Sequence, residues 1–392
     1  MFQWFESRIE AFPDEPPARP PPTLLAYYLH FIKPVWPAFA VLLVAGFLGA
    51  LIEVALMAFI GKLVDLMKAA VSPGDFLSQH GPTLTWMAFV AVVARPVVST
   101  VHDLIKNQII SAPVTNRVRW LTHRYVLRQS LGFFQNDFAG RVANKIMQGA
   151  PALRESVVQV IDAIWYAAVQ WLGAAVIFAA ADWRLLAPLL IWLAAYFGAL
   201  LYFVPRIKER STEAAEARSA LVGRIVDSYT NILTVKLFAR PKDEDEFVRA
   251  AVDEHTRTFR RQLRLITLFS LTLTLLNASM VVGTGVVAVW LWIDGKIAVG
   301  IVAMALPLTW QIANIAGWVA QNVTAIFENV GVVQDGMRSI SVPRLMPDKP
   351  NAATLKVERA PCASRMSASA TAPRAACSRA SASRSRRASA SV

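Results

Sequence analysis

PAFAVLLVAGFLGALIEVALMAFIGKLV, residues Pro37 to Val64, is the stretch that decides the fold. It interrupts its apolar run only with Glu53 and Lys62, and it is long enough to cross a hydrocarbon core of about 30 Å as a helix rising 1.5 Å per residue. Five further runs share the pattern: Leu84 to Ile110, Ile164 to Ala181, Leu185 to Val204, Leu265 to Ile293 and Ile297 to Asn322. In lipid, backbone polar groups must be paired within the protein, which leaves helices or closed barrels. These runs lack the alternation of barrel strands. The sequence therefore predicts an all-α membrane protein with six transmembrane helices.

Working outward, the joins between runs alternate short and long. The long ones are strongly basic, with Lys106, Arg117, Arg119, Arg124, Arg128, Arg141, Lys145 and Arg154 around the first, and Arg206, Lys208, Arg210, Arg218, Arg224 and Lys236 opening the second. The opposite joins offer Lys68, Arg184 and Lys296. Lys and Arg are retained on the cytoplasmic side, so both termini and both long joins are expected there. The first apolar run is too long and too far from Met1 for a cleaved signal, and it should serve as its own insertion signal. Before it, Pro13 to Pro22 predicts an extended proline-rich segment and Thr23 to Lys33 a short interfacial helix. Cys362 and Cys377 both fall in the C-terminal tail, so no disulfide is expected in the body. His30, His80, His102, His123 and His255 show no metal-ligand or nucleophile spacing.

The long joins keep helical periodicity and predict two cytoplasmic helical hairpins. The first runs from Arg117 to Leu131, breaks at Gly132, exposes Phe133, Phe134, Gln135, Asn136 and Asp137, breaks again at Gly140 and returns from Arg141. The second turns through Asp227, Ser228, Tyr229, Thr230, Asn231 and Ile232 and climbs back past Phe247 and Phe259. Bare aromatics at such a tip suit a docking surface, and they suit equally well the closing of the hairpin on itself.

Inside the membrane runs, Gln311, Asn314, Trp318 and Gln321 recur at intervals of three and four and so share one helical face. That stripe either lines a polar cavity or bonds neighbouring helices. Glu53 and Arg95 lie at similar distances from the turn joining the first two runs, which favours an ion pair over a substrate contact, although both remain open. Asn277 is a weaker cavity candidate, and Pro96, Pro188 and Pro307 predict kinks.

The stretch from Leu131 to Phe134 followed by Gly140, the run from Gly223 to Ile232 ending in Val235, Lys236, Leu237 and Phe238, and the turns Asp182–Trp183–Arg184 and Trp292, Asp294, Gly295, Gly300 together carry a resemblance. Over roughly Thr23 to Val357 the chain resembles the transmembrane domain of an ABC exporter half-transporter. The resemblance implies that Phe133 to Phe138 and Asp227 to Leu233 are coupling helices seated on ATPase domains, the second on the partner subunit's. It implies a sixth-helix cavity, a homo- or heterodimer, surrounding membrane lipids, a bacterial inner membrane, and an amphipathic, lipid-like or drug-like cargo moved by alternating access. Gln135 stands where the family often has an acidic residue.

ATP and Mg serve the full-length family, an ATP-hydrolysing translocase, but no GxxxxGK[ST] loop, signature or Walker B segment occurs in this sequence, so no cofactor, catalytic or metal residues are assigned. The expected layout is residues 1–36 as N-terminus and elbow, 37–340 as membrane domain, 341–357 as a linker toward an ATPase domain, and 358–392 as a tail. From Ala360 onward the tail holds six Arg and no acid among Ala and Ser. Reading its codons in a shifted frame permits a string resembling the opening strands of an ABC ATPase domain, so the tail is expected to be a frameshifted start of that domain and the record truncated. The tail's charge also removes the reason to invoke nucleic acid, despite a formal net charge of +13. Two rival expectations are a permease subunit that borrows a separately encoded ATPase, and a non-transporting product.

Overall fold

The computed structural model describes residues 2–344 apart from 15, 17, 70–72, 137–138 and 239–240; the side chains of 73–75, 135–136, 139–140 and 241 are likewise undescribed. The tail 358–392 and the linker beyond Arg344 lie outside the described residues, as do Asp137 and the side chains of Gln135 and Asn136.

Among the described residues, six helices are long and apolar enough to cross a membrane: α1 (Leu24–Ala69), α2 (Phe76–Val126), α3 (Arg141–Ala181), α4 (Trp183–Thr230), α5 (Lys242–Ile293) and α6 (Val299–Ile340). Each apolar run of the sequence falls within its own helix, except that the sixth starts at Val299 rather than Ile297, and no strand occurs among the described residues. The interfacial helix is the first part of α1, Leu24–Ile32 with Thr23 as its N-cap, and it joins the rest of α1 through a 3-10 turn, Lys33–Val35. Helices α2 to α5 outrun the apolar segments and form the two hairpins.

The hairpin tips differ from expectation in register. Helix α2 stops at Val126 rather than Leu131, because Leu127, Arg128 and Gln129 close a tight turn onto the carbonyls of His123, Tyr125 and Val126. Gly132 does not break the chain; it lies within a one-and-a-half-turn helix, Leu131–Asn136, and Gly140 likewise falls inside helical backbone that resumes at Ala139. In the second hairpin α4 carries Asp227 and Tyr229 in its last turn, Asn231 makes the joint, and Ile232 opens the tip helix Ile232–Leu237.

At the opposite end of the bundle the joins are tight. Asp182 Oδ1 accepts a hydrogen bond from the Arg184 amide at 2.8 Å and caps the turn into α4. After α5, Gly295 adopts φ 70°, and the Lys296 amide reaches back to the Leu291 carbonyl at 2.9 Å, a left-handed stop that suits glycine.

Lipid offers little hydrophobic drive for helix association, so small residues and polar ties decide the packing. Helix α6 is the common wall. It packs with α1, α2 and α3 around Phe31, Leu42, Ile110, Leu153 and Val333, and with α4, α5 and the end of α3 around Phe178, Leu189, Tyr196, Met280 and Leu308. Its buried alanines 305, 313, 316 and 320 let neighbours approach closely. Closest of all is Gly61 against Gly300, where a Cβ on Gly300 would lie 2.2 Å from the Gly61 carbonyl oxygen. Asp65 Oδ1 accepts the Gly300 amide at 2.7 Å there, satisfying one of the free donors that open α6.

The expected proline distortions resolve unevenly. Pro96 follows a π-helical stretch, Val90–Ala94, which accommodates the missing amide donor and ring of a proline in mid-helix. Pro188 lies in the first turn of its α-helical stretch, where no amide donor is needed, and Pro307 sits within continuous α-helix.

The N-terminal segment crosses the membrane-proximal part of the hairpins as a strap. Arg117 Nη1 donates to the Glu10 carbonyl at 3.0 Å, and Trp120 Nε1 and Arg124 Nη1 donate to the Pro13 carbonyl at 3.2 and 3.0 Å. Phe12 meets Trp120 edge-on at 5.6 Å. Farther along, Arg19 Nε donates to the Ser341 carbonyl at 3.0 Å and Ser341 Oγ to the Pro21 carbonyl at 3.1 Å, so the strap joins α2 to the end of α6.

Candidate functional site

Within the membrane part, a cavity of about 470 Å³ opens between α1, α2, α3 and α6. Helix α1 provides its open wall. Gly46 has nothing within 4 Å of where a Cβ would stand, and Gly49 meets only Val98 Cγ1 at 4.0 Å. The other walls carry charge. Arg95 Nε donates to Glu53 Oε1 at 2.6 Å, so the structure brings together the α1 and α2 charges that the sequence singled out. Deeper along α2, Lys106 Nζ donates to Asp162 Oδ2 at 2.6 Å, while His102 Nε2 lies 3.0 Å from Asp162 Oδ1. His102 Nδ1 stands 3.6 Å from Asp103 Oδ1.

This second cluster was missed. In the sequence Lys106 counts among the loop cations and His102 carries no chemistry, whereas the structure turns both onto Asp162 inside the cavity. A signal existed: Arg95, Ser99, His102 and Lys106 recur at intervals of four, three and four, one stripe of α2. Asp162 carried no such signal, because it stands two residues before the third apolar run and reads there as a loop carboxylate. It sits in a π-helical stretch, Val160–Trp165, and Lys106 sits in another, Ile105–Ser111. A π turn re-aims the side chains it carries and often accompanies a site.

From the α6 stripe, Trp318 lines this cavity and meets the Tyr166 ring edge-on at 6.4 Å. Gln311, Asn314 and Gln321 are not among its lining residues. Asn314 and Gln321 are exposed, and Gln311 Oε1 is buried without a hydrogen-bond partner among the described residues. Asn277 is spent elsewhere: its Oδ1 accepts from Trp192 Nε1 at 3.0 Å and its Nδ2 donates to the Ala313 carbonyl at 3.2 Å, tying α4, α5 and α6.

The two tips present different surfaces. Phe133 and Phe134 meet edge-on at 5.2 Å and pack against a small core of Tyr125, Val126, Val142 and Ile340, so they do close their own hairpin. Tyr229, Ile232, Leu233, Leu237 and Phe238 stand exposed at the second tip. That hairpin is held instead by Arg224, whose Nη1 donates to the Phe247 carbonyl at 2.9 Å with the guanidinium 4.6 Å from the Phe247 ring, and by a hydrogen bond from Ser228 to Glu244. Asp227 is exposed, and its carbonyl accepts both the amide and the Nδ2 of Asn231 at 3.0 Å.

Comparison with known proteins adds three findings. A family model described as the ABC transporter transmembrane region matches residues 39–312. An uncharacterized ABC transporter ATP-binding protein of Haemophilus influenzae is 30% identical over 364 residues, which is 92% of this chain and 58% of that protein. A solved structure of a bacterial Atm1-family ABC exporter with ATP bound superposes with a TM-score of 0.63 at 16% identity, over 84% of this chain and 57% of that one. The chain thus spans little more than half the length of either relative.

Proposed function

The chain belongs to the family of ABC transporter transmembrane regions, and from that premise we propose that it is the membrane half of an ATP-driven exporter that moves an amphipathic substrate by alternating access. One observation carries this reading: α2 is a single rod that lines the charged cavity with Arg95 to Lys106 and runs on to the hairpin end at Val126. At 1.5 Å per residue the cavity and the hairpin end lie about 30 Å apart on one stiff element. A push at the first hairpin is therefore felt at the cavity wall. The cavity supports an amphipathic substrate, because charged groups on one side and Gly46, Gly49 and Trp318 on the others suit a molecule with a polar head and an apolar body.

In this reading two copies, or this chain and a related one, form the transporter in a bacterial inner membrane, with both termini and both hairpin tips in the cytoplasm. ATP and magnesium bind on ATPase domains supplied in cis or in trans, since residues 1–392 hold no phosphate-binding loop of the GxxxxGK[ST] kind. The exposed apolar tip from Tyr229 to Phe238 is the surface such a domain would cover.

The test is transport. The chain is reconstituted in vesicles with the ATPase domain fused after the linker or co-expressed as a separate polypeptide, and ATP-dependent uptake of a fluorescent amphiphile into inverted vesicles is measured. Uptake that needs ATP and disappears with a Leu237→Asp tip supports the proposal. Uptake independent of ATP, or none with either arrangement, overturns it. Uptake only with the separate polypeptide selects the two-subunit form.

A further inference from the structure

We propose that the cavity is selective for charge: it receives the anionic head group, phosphate or carboxylate, of a single-headed amphiphile, with Arg95 as the recognising fork. This rests on the exporter reading and adds the sign of the substrate's charge to it.

Formally the cavity balances two carboxylates, Glu53 and Asp162, against the cations Arg95 and Lys106, with His102 beside them. What an entering ligand meets is not balanced. The Arg95 and Lys106 side chains are 55% and 38% exposed, whereas those of Glu53 and Asp162 are 19% and 11% exposed. The acids are recessed and the cations stand forward. Asp162 already has one oxygen engaged by His102 and the other by Lys106 and lies recessed behind them, so it meets an ammonium ligand poorly.

Arg95 is used on one edge only. Its Nε holds Glu53, while its two terminal nitrogens have no partner among the described residues. A guanidinium is a planar fork matched to phosphate or carboxylate, and a charged group at membrane depth is costly unless its bonds are filled. An anion placed between those nitrogens completes it. The stripe from Arg95 through Ser99 and His102 to Lys106 extends about 16 Å along α2, at 1.5 Å per residue, toward the hairpin end. Lys106 therefore offers a second positive contact on the way in. The remaining wall, Gly46, Gly49, Ile52 and Trp318, is apolar and suits the chain that follows the head group.

The experiment is native mass spectrometry of the full chain in maltoside micelles, titrated with dodecyl phosphate, dodecylphosphocholine, dodecyltrimethylammonium and inorganic phosphate. We expect one saturable dodecyl phosphate per chain, bound at least tenfold more tightly than the other two amphiphiles and than inorganic phosphate. Arg95→Gln should weaken it tenfold or more, Arg95→Lys less, and Arg184→Gln, at the far turn, not at all. Gly46→Leu fills the cavity without altering charge; it should abolish binding while the melting temperature stays unchanged, which separates loss of the site from loss of the fold. Equal binding of all three amphiphiles, equal binding of inorganic phosphate, or full affinity in Arg95→Gln or Gly46→Leu would overturn the proposal. None of these outcomes bears on ATP-dependent uptake, so the charge inference fails separately from the exporter reading.

Discussion

Replacing Gly300 by alanine is expected to force α1 and α6 apart at the end of the bundle away from the hairpins. The new Cβ would lie 2.2 Å from the Gly61 carbonyl oxygen and 2.4 Å from Asp65 Cγ and Oδ2. Ordinary contacts start near 3.5 Å, so the helices must separate by about 1 Å, and because the obstacle includes backbone no rotamer change relieves it. Overpacking of this kind costs about 1–3 kcal/mol. The separation also stretches the hydrogen bond from the Gly300 amide to Asp65, now 2.7 Å, and a bond to a charged group contributes about 1.5–3 kcal/mol. Alanine's better helix propensity returns at most about 1 kcal/mol, less in this first turn than in a helix interior, leaving a net loss of about 3 kcal/mol. The control is Gly198→Ala on α4, where a Cβ meets nothing within 4 Å, so that only the helix gain of about 1 kcal/mol remains. Both variants are compared with the parent by sodium dodecyl sulfate unfolding in mixed micelles, following helicity. Gly300→Ala at or above parental stability would refute the reasoning, since the helices could not then meet at that glycine pair.

Three other changes probe separate parts. Asn277→Ala leaves the Trp192 indole N–H without its acceptor between α4 and α5, at a cost of about 1–3 kcal/mol; the same unfolding assay should show this with the amphiphile selectivity of the micelle titration unaltered, and a changed selectivity at full stability would return Asn277 to the cavity. Trp120→Ala removes both the hydrogen bond to Pro13 and the ring contact with Phe12, so the Glu-specific protease Glu-C should cut the strap after Glu10 about tenfold faster; an unchanged rate would mean that the other ties suffice. Leu237→Asp alters an exposed tip side chain, so stability should stay within about 0.5 kcal/mol while ATP-dependent uptake falls tenfold or more; parental uptake would exclude this tip as the transmitting contact.

Period and composition made the six helices legible, because a membrane demands long apolar runs and the chain meets that demand six times. Hairpin positions were legible to within a few residues. Their breaks were not, since Gly132 and Gly140 read as stops but are carried inside helices whose ends are set by a turn at Leu127 to Gln129. Glu53 and Arg95 were found because a charge in an apolar run stands out and adjacent antiparallel helices bring equal depths together. Asp162 could not be found that way. Its partners Lys106 and His102 are near in space and more than fifty residues away in sequence, and π turns reset the phase that a 3.6-residue count assumes. The strap was invisible for a different reason: its bonds use backbone carbonyls of Glu10, Pro13 and Pro21, which no side-chain pattern reports.

Those ties also determine which parts can move together. The end of α6 is fastened to the first hairpin by Tyr125 Oη and Gln129 Nε2, which donate to the Val342 carbonyl at 2.7 and 3.0 Å, and by Lys145, which reaches Asp335 and Ser339 at 3.1 and 2.7 Å. The strap adds a further bridge across α2 and α6. Arg224 and Ser228 of the second hairpin instead spend their bonds within α4 and α5. Farther along, that pair meets α6 through Tyr196 Oη on the Ala316 carbonyl at 2.8 Å and through Asn277 on Ala313. Bonds from side chains to carbonyls of a small-residue face resist separation there more than they resist rotation about it. The charged cavity belongs to the strapped body of α1, α2, α3 and α6, and the bare apolar tip belongs to the α4–α5 pair. A force applied at that tip would therefore turn α4 and α5 about the alanine face of α6, past a cavity whose own ion pairs stay intact.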